Sequence, residues 1–299
     1  MLDGLRRLND IRWWANKLRS NPAWCGPAMR VSAWRATLRH GGVRILPAPA
    51  LFERILAEMG RAPGVTLSRY VEELVGNDDL RRQWEESVER YDLRKYRDWN
   101  HRVRSQPGNV ALYYALIREI CPQVIVETGT ASGSMTSLLL AALEANGEGR
   151  LISIDIPPTE GTLTMDLTID RSDIGFWIPK SLHARWDYRV GDAKVLLPKV
   201  MAEQQIDVFV HDSLHTRTHM LFEYAVARCL MPEGSLVVSD DILWNNAFDD
   251  FLALNELSGY APSSNPNIGC FVNRFDSFEK SVGTGIVRID DKAAPGART

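Results

Sequence analysis

The stretch 123-QVIVETGTASGSMTSLLLAALEANG-147 decides how the rest of the chain is read. Its opening is a short apolar, β-branched run, which is the composition of a buried strand. Gly129 and Gly133 follow at once, and glycine lets a backbone turn tightly and approach another group closely. Next comes 134-SMTSLLLAALEANG-147, a helical pattern that closes on Asn-Gly. A strand that passes through a glycine turn into a helix opens a βα unit, and ligands settle at such turns. The spacing is E-x-G-x-x-x-G. The G-x-G-x-x-G of dinucleotide binders would need glycine where Ala131 and Ser134 stand.

The same texture continues outward. Strands are expected at 151-LISID-155, 187-DYRVGD-192, 206-IDVFVHD-212 and 235-SLVVSDD-241, with a helix over 216-TRTHMLFEYAVARCLMPEG-234. This alternation predicts an α/β fold with a doubly wound, mostly parallel, Rossmann-like sheet. In such sheets the ligand lies beyond the carboxyl ends of the strands, so the last residues of each strand carry the information. Residues 1–105 read instead as helices broken by turns. Apolar positions recur at three and four in 51-LFERILAEM-59 and 69-RYVEELVG-76, 46-LPAPA-50 separates two pieces, and 80-LRRQWEESVERYDLRKYRDW-99 is heavily charged. The expected organisation is a helical N-terminal region over 1–105, serving as lid, docking or oligomerisation element. A ligand-binding domain follows over 106–291, and a disordered tail over 292–299.

With 24% charged and 45% apolar residues, the composition is that of a soluble globular protein. The net charge of -3 hides an asymmetry: 20 Lys and Arg against 13 Asp and Glu in residues 1–105, then 15 against 25 in the remainder. A basic front can meet nucleic acid or anionic lipid, yet its bases are mixed with acids rather than blocked, which favours docking on the acidic body. The segment 5-LRRLNDIRWWANKLR-19 reads as a docked amphipathic helix. Cys25, Cys121, Cys229 and Cys270 form no CxxC pair, so neither a zinc ribbon nor a disulfide framework is expected, and a reducing cytoplasm suits them. No membrane span and no signal peptide are expected.

At the strand ends, Asp155 can accept hydrogen bonds from both ribose hydroxyls of a nucleoside. Asp192 ends the third strand and can contact an adenine edge. Three histidines crowd 211-HDSLHTRTH-219, but 215-HTRTH-219 lacks the glutamate of HExxH and no cysteine is near, which speaks against zinc. His211 belongs to the strand and points away from Asp212, because strand side chains alternate. His219 takes a structural role.

Together these strand ends resemble the class I S-adenosylmethionine-dependent methyltransferases. The run 211-HDSLHTRTHMLFEYAVARCLMPEGSLVVSDDILWNNAFDDF-251 resembles the metal-assisted small-molecule O-methyltransferases, and more closely the cephalosporin-hydroxylase-like branch with its D-S-x-H-T-x-x-H segment. The resemblance covers roughly residues 108–290. It implies S-adenosylmethionine held by Glu127, Gly129, Thr130, Ser132, Gly133, Asp155, Asp192, Ala193 and Asp212. It also implies Mg²⁺ on Asp212, Asp240 and Asp241. Oxygen ligands suit that hard cation, which would lower the pKa of a substrate hydroxyl. His215 stands where related catechol-type enzymes place a lysine base, and with Asp212 forms the expected catalytic pair.

The expected activity is methyl transfer to a hydroxyl of a small molecule, a secondary metabolite or sugar-bearing compound by resemblance. N- or C-methylation, or a non-methylating reaction on the same fold, stays open. So does a nucleic-acid or membrane binder acting through the basic front, although no nucleic-acid partner is expected. A homo-oligomer is left open. The long segment 156–186 is expected to form a partly helical lid, with Trp177 and Trp244 walling an apolar substrate pocket.

Overall fold

The computed structural model describes residues 43–93, 98–105, 110–156, 162–164 and 167–275. The segment 5–19, Cys25 and the tail lie outside the described residues. The five expected strands are all present: β2 (Val124–Thr128), β3 (Arg150–Asp155), β6 (Trp186–Val190), β7 (Val208–His211) and β8 (Leu236–Ser239). The two expected helices are present as α6 (Ser134–Asn146) and α8 (Arg217–Leu230). In the sheet the strands follow the order β6-β3-β2-β7-β8, all parallel, so the order reverses beside β2. That reversal is the switch point where a doubly wound sheet opens a ligand crevice.

Three further strands extend the sheet past β8. They are β10 (Gly269–Val272), antiparallel to its neighbours, then β9 (Gly259–Pro262), then β1 (Val43–Leu46), parallel to β9. None of them was expected. Each is four residues long, and both β9 and β10 begin on glycine, so neither composition nor periodicity marks them. Strand β1 corrects the all-helical reading of residues 1–105. The stretch 46-LPAPA-50 separates two pieces, but the first is this strand and not a helix: Pro47 caps α1 (Ala48–Glu58) and Pro49 lies in its first turn, where a missing N–H costs nothing.

Alternation along the strands supplies both faces of the sheet. Ile125, Leu151, Val208, Val210 and Val238 face a cluster shared with α1, α2 (Leu67–Val75), α3 (Asp78–Arg90), α4 (Trp99–Ser105), α5 (Ala111–Ile120) and α6. Val126, Ile152, Phe209, Val237 and Phe271 face α7 (Ala193–Glu203), α8 and α9 (Ala247–Leu254). Elements on both sides of residue 105 therefore share one apolar cluster.

The described part of segment 156–186 is partly helical, as expected, but only as 3-10 turns. It holds a short hairpin, β4 (Thr162–Thr164) with β5 (Leu167–Ile169), and 3-10 turns at Arg171–Asp173 and Lys180–Arg185. Trp177 does not wall a pocket. It is buried, stacked on Trp84 of α3 with ring centroids 3.9 Å apart. The Phe176 carbonyl accepts from Gln83 Nε2 at 2.7 Å and from Ser87 Oγ at 3.0 Å. Arg102 of α4 lies 4.2 Å over the Trp84 ring and donates to Ser134 Oγ, in the first turn of α6, at 2.9 Å. The N-terminal helices are thus tied to the glycine turn through this aromatic joint. Among the described residues no helix is long and apolar enough to cross a membrane.

Trp84→Ala removes the stacked ring and the cation–π contact together, and should cost about 3–5 kcal/mol in urea unfolding. Leu254→Ala, at a side chain 84% exposed, should stay within about 0.5 kcal/mol.

Candidate active site

The carboxyl ends of β2, β7 and β8 are in register, with Thr128 beside His211 and His211 beside Ser239. The next residues, Gly129, Asp212 and Asp240, are therefore level with one another. Asp212 N donates to Thr128 O, and Asp240 N to His211 O, both at 2.9 Å. Gly129 has φ +85°, and a Cβ there would stand 2.0 Å from the Asp212 carbonyl oxygen. Gly133 has φ +80°, and a Cβ there would meet Ile178 at 2.7 Å and Gly175 at 2.9 Å. Both glycines are required by protein atoms. The turn is also pinned from outside by Gly175 N to Ala131 O (2.9 Å) and Trp177 N to Ser132 O (3.0 Å).

Around that turn the side chains divide. Glu127 is buried. Its Oε2 accepts from Thr136 and Ser153 at 2.8 Å each, while Oε1 has no partner. Burial pushes its carboxyl up to about 7. Thr130 Oγ1 is likewise buried without a partner. Asp155 ends β3, with the Tyr188 hydroxyl 3.4 Å away and the amides of Ala131, Ile156 and Thr130 donating to its carboxylate. Burial raises its pKa. Asp192 caps α7 by accepting from Lys194 N at 2.8 Å, and Ala193 is buried in the first turn of that helix. Sequence reasoning passed over Ile156 and Val190. They are 61% and 52% exposed, and Val190 pairs with Asp155 in the sheet. An apolar edge beside an acid, with two unpartnered buried oxygens at the turn, suits a nucleoside with a polar tail.

The acids and His215 gather at the other side. His215 Nδ1 lies 3.4 Å from Asp241 Oδ2 and its Nε2 lies 3.7 Å from Asp212 Oδ1. That Nε2 has no hydrogen-bond partner. Trp244, half exposed, lies 5.5 Å from the imidazole, and Leu214 is exposed close by in sequence. Burial, then the neighbouring His211, lowers His215 to about 4, so its ring is neutral at pH 7. Burial pushes Asp240 and Asp241 up to about 6 and Asp212 well above the usual range, and repulsion from neighbouring acids adds to the shift at Asp240 and Asp212. Asp241 takes φ +53° and is held by Asn267 Nδ2 and by Trp244. The donor chemistry is that of a hard cation. The spacing does not close a cage: among the described residues no group of His, Cys, Asp and Glu side chains is arranged to hold a metal ion, zinc included.

Sequence reasoning missed Glu223. This residue of α8 is fully buried, and four donors converge on it. Oε2 accepts from His211 Nδ1 (2.6 Å) and Thr128 Oγ1 (2.7 Å); Oε1 accepts from His219 Nε2 (2.8 Å) and Ser213 Oγ (2.9 Å). Burial opposes its charge, but the His211 and His219 hydrogen bonds prevail and lower the carboxyl to about 2. His211 and His219 thus share one partner, Glu223. A signal was present: Glu223 lies four residues after His219, on the same helix stripe as Met220, Tyr224 and Ala227.

Residues 126–242 match the family model described as a methyltransferase domain. Over these residues the chain is similar to that family. Its sheet, with the antiparallel β10 set between β8 and β9, has the fold of the class I S-adenosylmethionine-dependent methyltransferases. No curated protein matches the sequence. Among solved structures, the chain is similar to PaMTH1 of Podospora anserina bound to S-adenosylhomocysteine: 14% identity, 70% of this chain and 93% of that one covered, TM-score 0.46. It is also similar to an O-methyltransferase of Bacillus cereus in complex with S-adenosylhomocysteine, at 16% identity, 68% and 96% coverage and TM-score 0.46. A third likeness is CmcI with magnesium and S-adenosylmethionine, at 17% identity, 56% and 71% coverage and TM-score 0.39.

Two outcomes are expected from this geometry. Gly129→Ala should lower the thermal midpoint by several degrees, since it adds a clash with backbone to the ~1–2 kcal/mol of a left-handed non-glycine residue. The charge on Glu223 is depressed in pKa by folding, so its stabilisation is present above the ordinary carboxylate range and is lost as pH falls toward 2. Acid unfolding of Glu223→Gln should therefore lose that part of its pH dependence between about 4.5 and 2.

Proposed function

We propose that this methyltransferase transfers a methyl group from S-adenosylmethionine to a hydroxyl of a small molecule. The observation that carries the reading is the neutral His215 imidazole, with an unpartnered Nε2, standing among strand-end acids on the same sheet edge as the glycine turn. When bound, S-adenosylmethionine supplies a sulfonium methyl, so that a C–O bond forms as the C–S bond breaks. Thr130 Oγ1 and Glu127 Oε1 offer unmet hydrogen-bonding capacity to it. Ile156 and Val190 offer an apolar edge for the adenine, and Asp155 and Asp192 lie beside them at the ends of β3 and β6.

His215 Nε2 takes the hydroxyl proton of the acceptor, and Asp212 and Asp241 stabilise the imidazolium that results. Trp244 and Leu214 border the site with apolar surface and help to exclude water. An acceptor of the secondary-metabolite or sugar-bearing kind fits a site that is acidic with an apolar rim. In this reading α3 and α4 brace the glycine turn.

Magnesium on Asp212, Asp240 and Asp241 is a second reading, favoured by the mutual charge repulsion of those acids. The present spacing does not fit it, and no step above passes through a metal.

Calorimetry with S-adenosylhomocysteine should show binding, weakened tenfold or more by Asp155→Ala and changed less than threefold by His215→Ala. Absence of binding by either cofactor form removes the proposal. In a radiolabelled methyl-transfer screen over hydroxyl compounds, His215→Ala should lower kcat about 10²–10⁴-fold. If EDTA abolishes that transfer and added magnesium restores it, the metal-assisted reading replaces the metal-free one.

A further inference from the structure

Glu223 lies outside the proposed chemistry, yet it is the most heavily engaged side chain near it. Its four donors come from four places: Thr128 ends β2, His211 ends β7, Ser213 follows Asp212, and His219 lies in the first turn of α8. Thr128 is the residue before Gly129, and Ser213 is the residue after Asp212. Gly129 and Asp212 in turn touch through backbone, with no space for a Cβ between them. One carboxylate therefore brackets the contact between the proposed cofactor turn and the proposed acceptor side.

We propose that Glu223 is a positioning residue: by accepting from Thr128, His211, Ser213 and His219 at once, it fixes the glycine turn against the Asp212–His215 segment and sets which nitrogen of His211 faces His215. The claim rests on the proposed cofactor reading for its consequence, and on geometry alone for its cause. A carboxylate is acceptor-only, so His211 must carry its proton on Nδ1 and His219 on Nε2. The other nitrogens, His211 Nε2 and His219 Nδ1, are buried and bare of partners. The His211 ring meets the His215 ring edge-on, with centroids 5.3 Å apart. No other tautomer of His211 or His219 satisfies the four-donor arrangement. In the Gln variant the amide presents an N–H₂ to two groups that were donors, so at least one histidine must move its proton.

The test uses the full chain and three variants: Glu223→Gln, Thr128→Val, which keeps the shape and removes one donor, and the two combined. Long-range ¹H–¹⁵N spectra of histidine-labelled protein report the tautomers, and calorimetry with S-adenosylhomocysteine reports the turn. Wild type should show one Nδ1–H and one Nε2–H histidine at these two positions, and Glu223→Gln should change at least one of them. Glu223→Gln and Thr128→Val should each weaken S-adenosylhomocysteine about tenfold, and the double variant should lose less than the product of the two, because both act through one hydrogen bond. Unchanged tautomers in folded Glu223→Gln overturn the proposal. So does an affinity equal to wild type in both single variants, or a double variant whose loss is the full product. Should Glu223→Gln not fold, Thr128→Val alone decides by the same affinity criterion. If wild type itself binds no S-adenosylhomocysteine, the cofactor reading fails, and the tautomer comparison still decides the role of Glu223.

Discussion

A single buried anion organises the carboxyl edge of the central sheet. Burying a carboxylate away from water is costly unless its lone pairs are filled. Glu223 meets that condition with two hydroxyls and two imidazoles, drawn from β2, β7, the loop beyond β7 and α8. Because the cost of leaving any of them unmet is high, the strand ends have little freedom to slide against the helix. Glu127, one residue from Thr128 but on the opposite face of β2, shows the contrast. With two hydroxyl donors and one bare oxygen it is pushed up to about 7, not down. Donor number, not burial, separates the two carboxyls.

The glycine turn is the second fixed point, and its glycines serve an unexpected master. Space for a ligand is the usual reason for glycine after a first strand. Here the missing side chains make room for the Asp212 carbonyl and for Ile178 with Gly175. The turn is clamped from inside by the next strand end and from outside by segment 174–178. That segment rests in turn on Trp84, Gln83 and Ser87 of α3. The N-terminal helices reach the site by this route, through the stacked tryptophans and through Arg102, which lies over Trp84 and donates to Ser134.

Much of the central fold was legible because its causes are local. The runs 124-VIVET-128 and 151-LISID-155 are apolar and bounded by turn residues, and helix α6 ends where Asn-Gly ends it. The acids of the site were legible for a similar reason: in a parallel sheet, the residue that ends a strand is known once the strand is known. Strands β1, β9 and β10 were not legible. Each has four residues and is stabilised by pairing with chain far away, as Val43 pairs with Gly259, so no local pattern records it. Trp177 was misread because an exposed-looking loop gives no sign that a tryptophan from α3 will stack on it.

The sequence by itself determined the βα alternation, the glycine turn and the set of acids and histidines at the strand ends, because periodicity and turn chemistry act over a few residues. Tertiary structure alone decided what those residues do to one another. It placed His215 between Asp212 and Asp241 and kept the three acids from closing on a metal. It also gave His211 and His219 a common partner in Glu223. Those outcomes depend on ångström-scale distances between strands and helices joined only through the packed sheet, and a one-dimensional pattern holds no such distances.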